Sequence, residues 1–227
     1  MLALRPMTMA RSLPRKSSIT PPFSMTPEKR KRIIDRHRDA LLRFGYSANA
    51  LYWSNREIQE LRFQILLEIG IPSGSSVLDV GCGFGDLYGY MKRQAIETNY
   101  TGIDLSAELL AKGAELYPGA NFFCGDLFDF KPAAESFDYV LLSGALNEVM
   151  DDNGEYAKRV ITSMYQTCRK GLAFNLLNAN EEWLAKSYDL QSFIPSEMLS
   201  FCQQLGGDCQ LRDDYLSNDF TILMTKT

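Results

Sequence analysis

The last two strand-like segments of the chain, Cys209–Leu216 and Phe220–Thr225, are separated by only a few residues around Ser217-Asn218-Asp219. A parallel crossover needs about a dozen residues or more, so this pair reads as an antiparallel hairpin. What precedes it has the opposite character. Ser76–Val80, Tyr100–Ile103, Asn121–Cys124, Tyr139–Leu142 and Leu172–Leu177 are short apolar runs, and helix-patterned segments separate most of them. Such alternation builds a parallel sheet covered by helices on both faces. The two signals together predict an α/β fold: a Rossmann-like three-layer sandwich whose seven-stranded sheet is mostly parallel and whose last strand runs backwards.

The helices have recognisable ends. Thr26-Pro27-Glu28 supplies a capping hydroxyl, a proline for the first turn and an acid at the positive helix end, and Gly45 closes the helix after Phe44. Ser54-Asn55-Arg56-Glu57 has a capping-box pattern and opens a second helix, with Ile58, Leu61 and Ile65 at helical spacing. Further helices are predicted over 86–95, 106–116, 154–169, 181–188 and 196–205. On this reading residues 25–73 form an N-terminal helical cap and residues 74–227 the main domain. Residues 1–24 carry Arg5, Arg11, Arg15 and Lys16 but no acid. They read as a disordered tail or a mis-assigned start, with an organelle transit peptide as the alternative.

A chain of 227 residues suffices for one domain with a full core. No run of about 18 apolar residues is present, which argues against a membrane partner. The net charge of −4 argues against a nucleic-acid partner, which usually requires a basic face. The five cysteines form no C-x-x-C pair, and the single His37 leaves no histidine-rich metal site. Reduced thiols in a cytoplasmic protein, with no metal, are the expectation.

In an open α/β sheet the ligand lies beyond the carboxyl ends of the strands. Strand one ends in Asp79-Val80-Gly81-Cys82-Gly83-Phe84-Gly85, strand two in Asp104, strand three in Gly125-Asp126 and strand four in Ser143-Gly144. Glycines after strand one let the backbone turn and approach a ligand closely. Asp104 is placed to accept hydrogen bonds from ribose hydroxyls, because Ser106 can serve as the neighbouring helix cap. Asp126 is either a turn residue or an acceptor for an adenine amino group, and Asp79 either satisfies loop N–H groups or meets an ammonium. Three carboxylates at one mouth suit a cationic ligand better than a pyrophosphate, and G-C-G-F-G lacks the G-x-G-x-x-G spacing of nicotinamide enzymes.

With these residues in view, the chain resembles the class I S-adenosylmethionine-dependent methyltransferases. Val77–Gly85 resembles the first motif of that family, Thr101-Gly102-Ile103-Asp104 the second, Cys124-Gly125-Asp126-Leu127 the third and Phe137–Gly144 the fourth. The resemblance covers about residues 74–227, and it implies S-adenosylmethionine as cofactor. It also implies that Gly81, Cys82 and Gly83 lie along the methionine part, that Asp104 holds the ribose with Leu105 against the adenine, that Asp126 and Leu127 flank the adenine, and that the backbone around Ser143 meets the methionine end. Tyr46, Tyr52 and Trp53 would belong to a lid, and Arg62 or Arg56 would pair with the cofactor carboxylate.

The expected reaction is methyl transfer to a small molecule through oxygen, nitrogen or sulfur. An RNA or protein methyltransferase that uses the basic tail and Lys29–Arg32 stays open, as does a cofactor-binding subunit without activity. Strand four carries Ser143-Gly144-Ala145-Leu146-Asn147 in place of the Asn/Asp-Pro-Pro-aromatic tetrapeptide of related enzymes that methylate amino groups of bases or glutamine. No catalytic base declares itself. Glu148, Asn147, Tyr46, Tyr52 and His37 are candidates by location alone, and His37, inside a helix, reads as structural.

Overall fold

The computed structural model describes residues 25–226; the expectations for residues 1–24 lie outside this range. One sheet contains β1 (Ser76–Val80), β2 (Asn99–Asp104), β3 (Asn121–Cys124), β4 (Phe137–Ser143), β5 (Cys168–Leu177), β6 (Asp208–Arg212) and β7 (Asp219–Thr225). The strand order is β3-β2-β1-β4-β5-β7-β6. The first five strands pair in parallel, and β7 runs antiparallel to both β5 and β6. The predicted seven-stranded architecture with a reversed last strand is therefore present.

The helices are α1 (Pro27–Phe44), α2 (Arg56–Leu67), α3 (Asp86–Arg93), α4 (Ala107–Leu116), α5 (Leu127–Phe130), α6 (Glu155–Thr167), α7 (Glu182–Ala185) and α8 (Pro195–Leu205), with a 3-10 turn at Ala48–Leu51. Strand alternation sorts their side chains into two layers. Val77, Tyr139 and Leu141 face Phe63 and Leu66 of α2 and Leu87 and Met91 of α3. Leu78, Val140 and Phe174 face the other way, against Ile161 and Met164 of α6 and Met198 and Cys202 of α8. Both faces are covered, which is why β4, β5 and β7 read as nearly unbroken apolar runs. No described helix is long and apolar enough to cross a membrane.

Several local expectations shift. Asn55, not Ser54, caps α2 by accepting from Ile58 N at 2.8 Å. The third helical position is then Ile58, so no reciprocal capping box forms. The helix expected over 181–188 shrinks to one turn, because only Leu184 of it is buried while Trp183 is 57% and Tyr188 94% exposed. β5 starts earlier than expected, at Cys168, where Arg169 and Lys170 pair with Asp138 at the start of β4. Asp138 is held below the usual carboxylate range, chiefly by the Ser76 backbone N–H. α2, on the N-terminal side of the boundary expected at residue 73, packs against the sheet through Phe63 and Leu66. Only α1 and the 3-10 turn lie over the strand ends as a cover.

One buried ion pair ties α2 to the last hairpin. Arg62 Nε and Nη2 both reach Asp219 Oδ2, and Tyr215 Oη donates to Asp219 Oδ1 at 2.8 Å. Burial pushes the Asp219 carboxyl up to about 6, against the opposing pull of Arg62 and Tyr215. Removing one member leaves a buried charge without its partner. Asp219→Ala is expected to lower unfolding free energy by about 3–5 kcal/mol in chemical denaturation; a loss under about 1 kcal/mol would place the pair in the class of solvated surface bridges.

Candidate functional site

The connections diverge at β1, which has β2 on one side and β4 on the other. Open α/β sheets bind ligands beyond the carboxyl ends of the strands at such a point. Here the chain encloses a cavity of about 430 Å³. Its floor is the loop after β1, the end of β2 with Leu105, Gly125–Leu127 after β3, and Ser143–Glu148 after β4. Its cover comes from α1, the 3-10 turn and the link that follows it, through Ile33, Arg36, His37, Leu51, Tyr52 and Trp53.

Two glycines make the floor geometrically feasible. Gly81 has φ +72°, and a Cβ there would lie 2.2 Å from Ala145 Cβ, so the loops after β1 and β4 touch only because residue 81 has no side chain. Gly144 has φ +71°, and a Cβ there would lie 2.5 Å from the Trp53 ring. Trp53 in turn sits under the Arg62 guanidinium, 4.6 Å from ring centre to Cζ. The β4 loop is fixed from β5: Asn175 Oδ1 accepts from Gly144 N at 2.9 Å, and its Nδ2 donates to Ser143 Oγ at 3.2 Å.

Asp104 links two loops. Oδ2 accepts from Gly83 N at 2.9 Å and Oδ1 from Ser106 N at 2.9 Å. Ser106 is the cap of α4, accepting from Leu109 N at 3.3 Å. Each Asp104 oxygen therefore spends one acceptor site on backbone and keeps another for a ligand. Asp126 is more fully engaged. Its Oδ1 accepts from Phe128 N and Asp129 N, both at 2.9 Å, and its Oδ2 takes Arg30 of α1 at 2.6 Å. It caps α5 in a capping box with Asp129, a helix absent from the sequence reading. Burial raises the Asp126 carboxyl, while Arg30 and the backbone N–H groups oppose that rise.

Asp79 is 2% exposed, and its Oδ2 accepts from Tyr100 Oη at 2.6 Å. Burial, reinforced by the charges of Asp104 and Asp86, raises its carboxyl to about 7 despite the Tyr100 hydrogen bond. Cys82 contributes backbone to the cavity. Its side chain is buried against Gly102, where a Cβ would lie 2.6 Å from Sγ, and burial pushes the thiol well up. Gly83, Leu105, Gly125, Leu127 and Ser143 all line the same space.

Arg62 also lines the cavity, but Asp219 already matches its charge. Arg56 is likewise committed, to Asp86 at 2.9 Å. Both arginines expected beside a ligand carboxylate are paired inside the protein. Tyr46 does not face the cavity; it donates to Asp86 Oδ1 at 2.7 Å and fastens the segment after α1 to the start of α3. Asp86, Asn175, Tyr100 and Arg30 escaped the sequence reading. Asp86 alone had a local signal there, as the acid that follows the glycine loop.

Comparisons with known proteins agree with this geometry. Residues 77–171 match the family model described as a methyltransferase domain. A Mycobacterium tuberculosis protein named as a methyltransferase, Rv1506c, is 28% identical over 159 residues, covering 66% of this chain and 93% of the relative. The S-adenosyl-L-methionine-dependent Diels-Alderase iliD of Neonectria is 26% identical, covering 64% of this chain and 57% of the relative. A trans-aconitate 2-methyltransferase of M. tuberculosis is 32% identical over 87 residues, covering 38% of this chain and 32% of the relative. A crystal structure of an S-adenosylmethionine-dependent methyltransferase from Archaeoglobus fulgidus superposes with a TM-score of 0.58 at 14% identity, covering 76% of this chain and 95% of that one. The methyltransferase-domain match and these relatives support a class I S-adenosylmethionine-dependent methyltransferase with S-adenosylmethionine as its cofactor, and the superposed structure shows the same fold.

The raised Asp79 carboxyl has a signed consequence. Its folded value near 7 exceeds the ordinary value of about 4, so the folded state holds the proton more tightly. The stability contributed by this linkage is complete below about pH 4 and is lost as pH rises through about 7. Over that window the ligand-free wild type is expected to lose on the order of 4 kcal/mol relative to Asp79→Asn, read as the difference between the two denaturation-versus-pH curves. Parallel curves would mean that Asp79 is ionised in the folded protein.

Proposed function

We propose that this enzyme methylates a small molecule inside the covered cavity, with the cofactor held on the β1–β2–β3 side. The observation that carries the reading is the cover. α1 and the 3-10 turn close over the strand ends and leave about 430 Å³, a volume in the range of small-ligand sites and too confined for a folded macromolecule. The relatives that act on trans-aconitate support a small acceptor, by the name they carry.

The basic residues of α1 weigh against a nucleic-acid acceptor. Lys29 pairs with Asp151, Arg30 with Asp126 and Asp129, and Arg32 and Arg36 with Glu148. A face that grips phosphates needs uncommitted cations.

The residues present fit the cofactor. In this reading Asp104 takes the ribose hydroxyls through its two remaining acceptor sites. Leu105 and Leu127 flank the adenine, and the one acceptor site left on Asp126 receives the adenine amino group. Gly81, Cys82 and Gly83 form the bare backbone cradle for the methionine part, beside Ser143 and Gly144. A sulfonium supplies a methyl group that is already activated, so the protein's work is to align, desolvate and deprotonate. Trp53, Tyr52 and Leu51 exclude water from above, and Asp79 stands ready to become ionised beside an arriving ammonium.

Two experiments test this. Asp104→Ala is expected to weaken S-adenosylhomocysteine binding by about 1.5–3 kcal/mol in titration calorimetry, the scale for lost hydrogen bonds to a charged group; unchanged affinity in a folded variant would remove Asp104 from the ribose. Incubation with methyl-labelled cofactor and whole-cell extract, followed by size fractionation, is expected to place the label in the small-molecule filtrate. Label retained with RNA or protein would overturn the acceptor class.

A further inference from the structure

We propose that His37 is the catalytic base, and that the acceptor is an alcohol or phenol whose proton must leave as the methyl arrives. The proposal rests on the small-molecule reading above and concerns the half of the cavity beneath α1.

His37 is the chain's only histidine and lines the cavity. Its Nδ1 lies 3.0 Å from the carbonyl oxygen of Ile33, one turn back in α1. A carbonyl oxygen only accepts, so Nδ1 carries the proton in that bond and Nε2 of the neutral ring keeps its lone pair. Nδ1–Ile33 is the single hydrogen bond of this ring among the described residues. The ring is held edge-on to Tyr52, 5.6 Å between centroids. A backbone carbonyl thus fixes the tautomer and an aromatic contact fixes the orientation, as a general base requires.

The other candidates are disqualified by their contacts. Tyr52 donates its hydroxyl to Arg36 O at 2.9 Å, and burial makes that hydroxyl harder to ionise. Tyr46 is turned away, onto Asp86. Glu148 is gripped by Arg32 and Arg36. Asn147 lines the cavity but cannot take a proton.

The step balances. The acceptor oxygen forms a bond to the methyl carbon as the carbon–sulfur bond breaks and leaves its electron pair on sulfur, while the acceptor proton passes to Nε2. The sulfonium charge is thereby exchanged for an imidazolium charge, which solvent later discharges.

Because only one imidazole exists, a long-range 1H–15N spectrum reports on His37 without assignment. With S-adenosylhomocysteine bound and at mildly alkaline pH, the neutral ring is expected to show Nδ1–H and a bare Nε2; a ring protonated on Nε2 overturns the proposal. A second arm uses methyl-labelled cofactor with catechol as the hydroxyl acceptor and thiophenol as a pre-ionised one. His37→Asn is expected to bind S-adenosylhomocysteine like the wild type and to lose catechol methylation by about 100-fold or more, the usual scale for a general base, while sparing thiophenol. Equal loss on both acceptors, or no loss on either, overturns the assignment. A wild type that binds S-adenosylhomocysteine yet methylates neither probe counts against the small-molecule reading, and the tautomer then decides the fate of His37 alone.

Discussion

The site depends on one buried carboxylate that does not itself touch the cavity. Asp86, 2% exposed at the start of α3, receives Tyr46 and Tyr117 on Oδ1 and Arg56 and Gln59 on Oδ2. Three of these four groups come from the segment before β1. The glycine loop is therefore held on one side by the sheet and on the other by the residues that cover it. Without this knot α1 and the 3-10 turn would have little reason to lie over the strand ends. α1 buries only Ile33 and Ala40, and its other ties are ion pairs that solvent and salt weaken.

The enclosed space has two unlike ends. Asp79, Asp104 and Asp126 crowd the side of β1, β2 and β3, and burial raises Asp79 and Asp126. The side beneath α1 carries Arg36, His37 and Asn147. A cationic cofactor suits the first end and relieves the mutual repulsion of its carboxylates. On the base assignment proposed above, the second end suits a hydroxyl compound.

The parallel sheet and its reversed last strand were legible in the sequence because they rest on period and spacing: apolar runs of fixed length, and a hairpin too short to cross over. The strand-end acids and glycines were legible because loop chemistry is local. What escaped was set by tertiary contact. Nothing around Arg62 announces that Asp219 lies against it, 157 positions away. Residues 181–188 have helical composition, but too little of that face is buried to hold more than one turn. His37 read as a structural helix residue because a helical pattern with a single histidine does not encode which surface its ring meets, here the Tyr52 ring and the cavity. α2 read as part of a cap because its amphipathic stripe gives no hint of which surface covers it.

The central claim is that the β1–β2–β3 end is built for a sulfur-bearing adenosine cofactor. The most direct measurement is a thermal melt with S-adenosylhomocysteine, S-adenosylmethionine and NADH in parallel. A ligand at about 100 times its dissociation constant stabilises by about 2.7 kcal/mol, a shift of about 5–10 °C for a chain of this size. The account predicts that shift with the two sulfur ligands and none with NADH. A shift with NADH alone, or with no ligand, would contradict it.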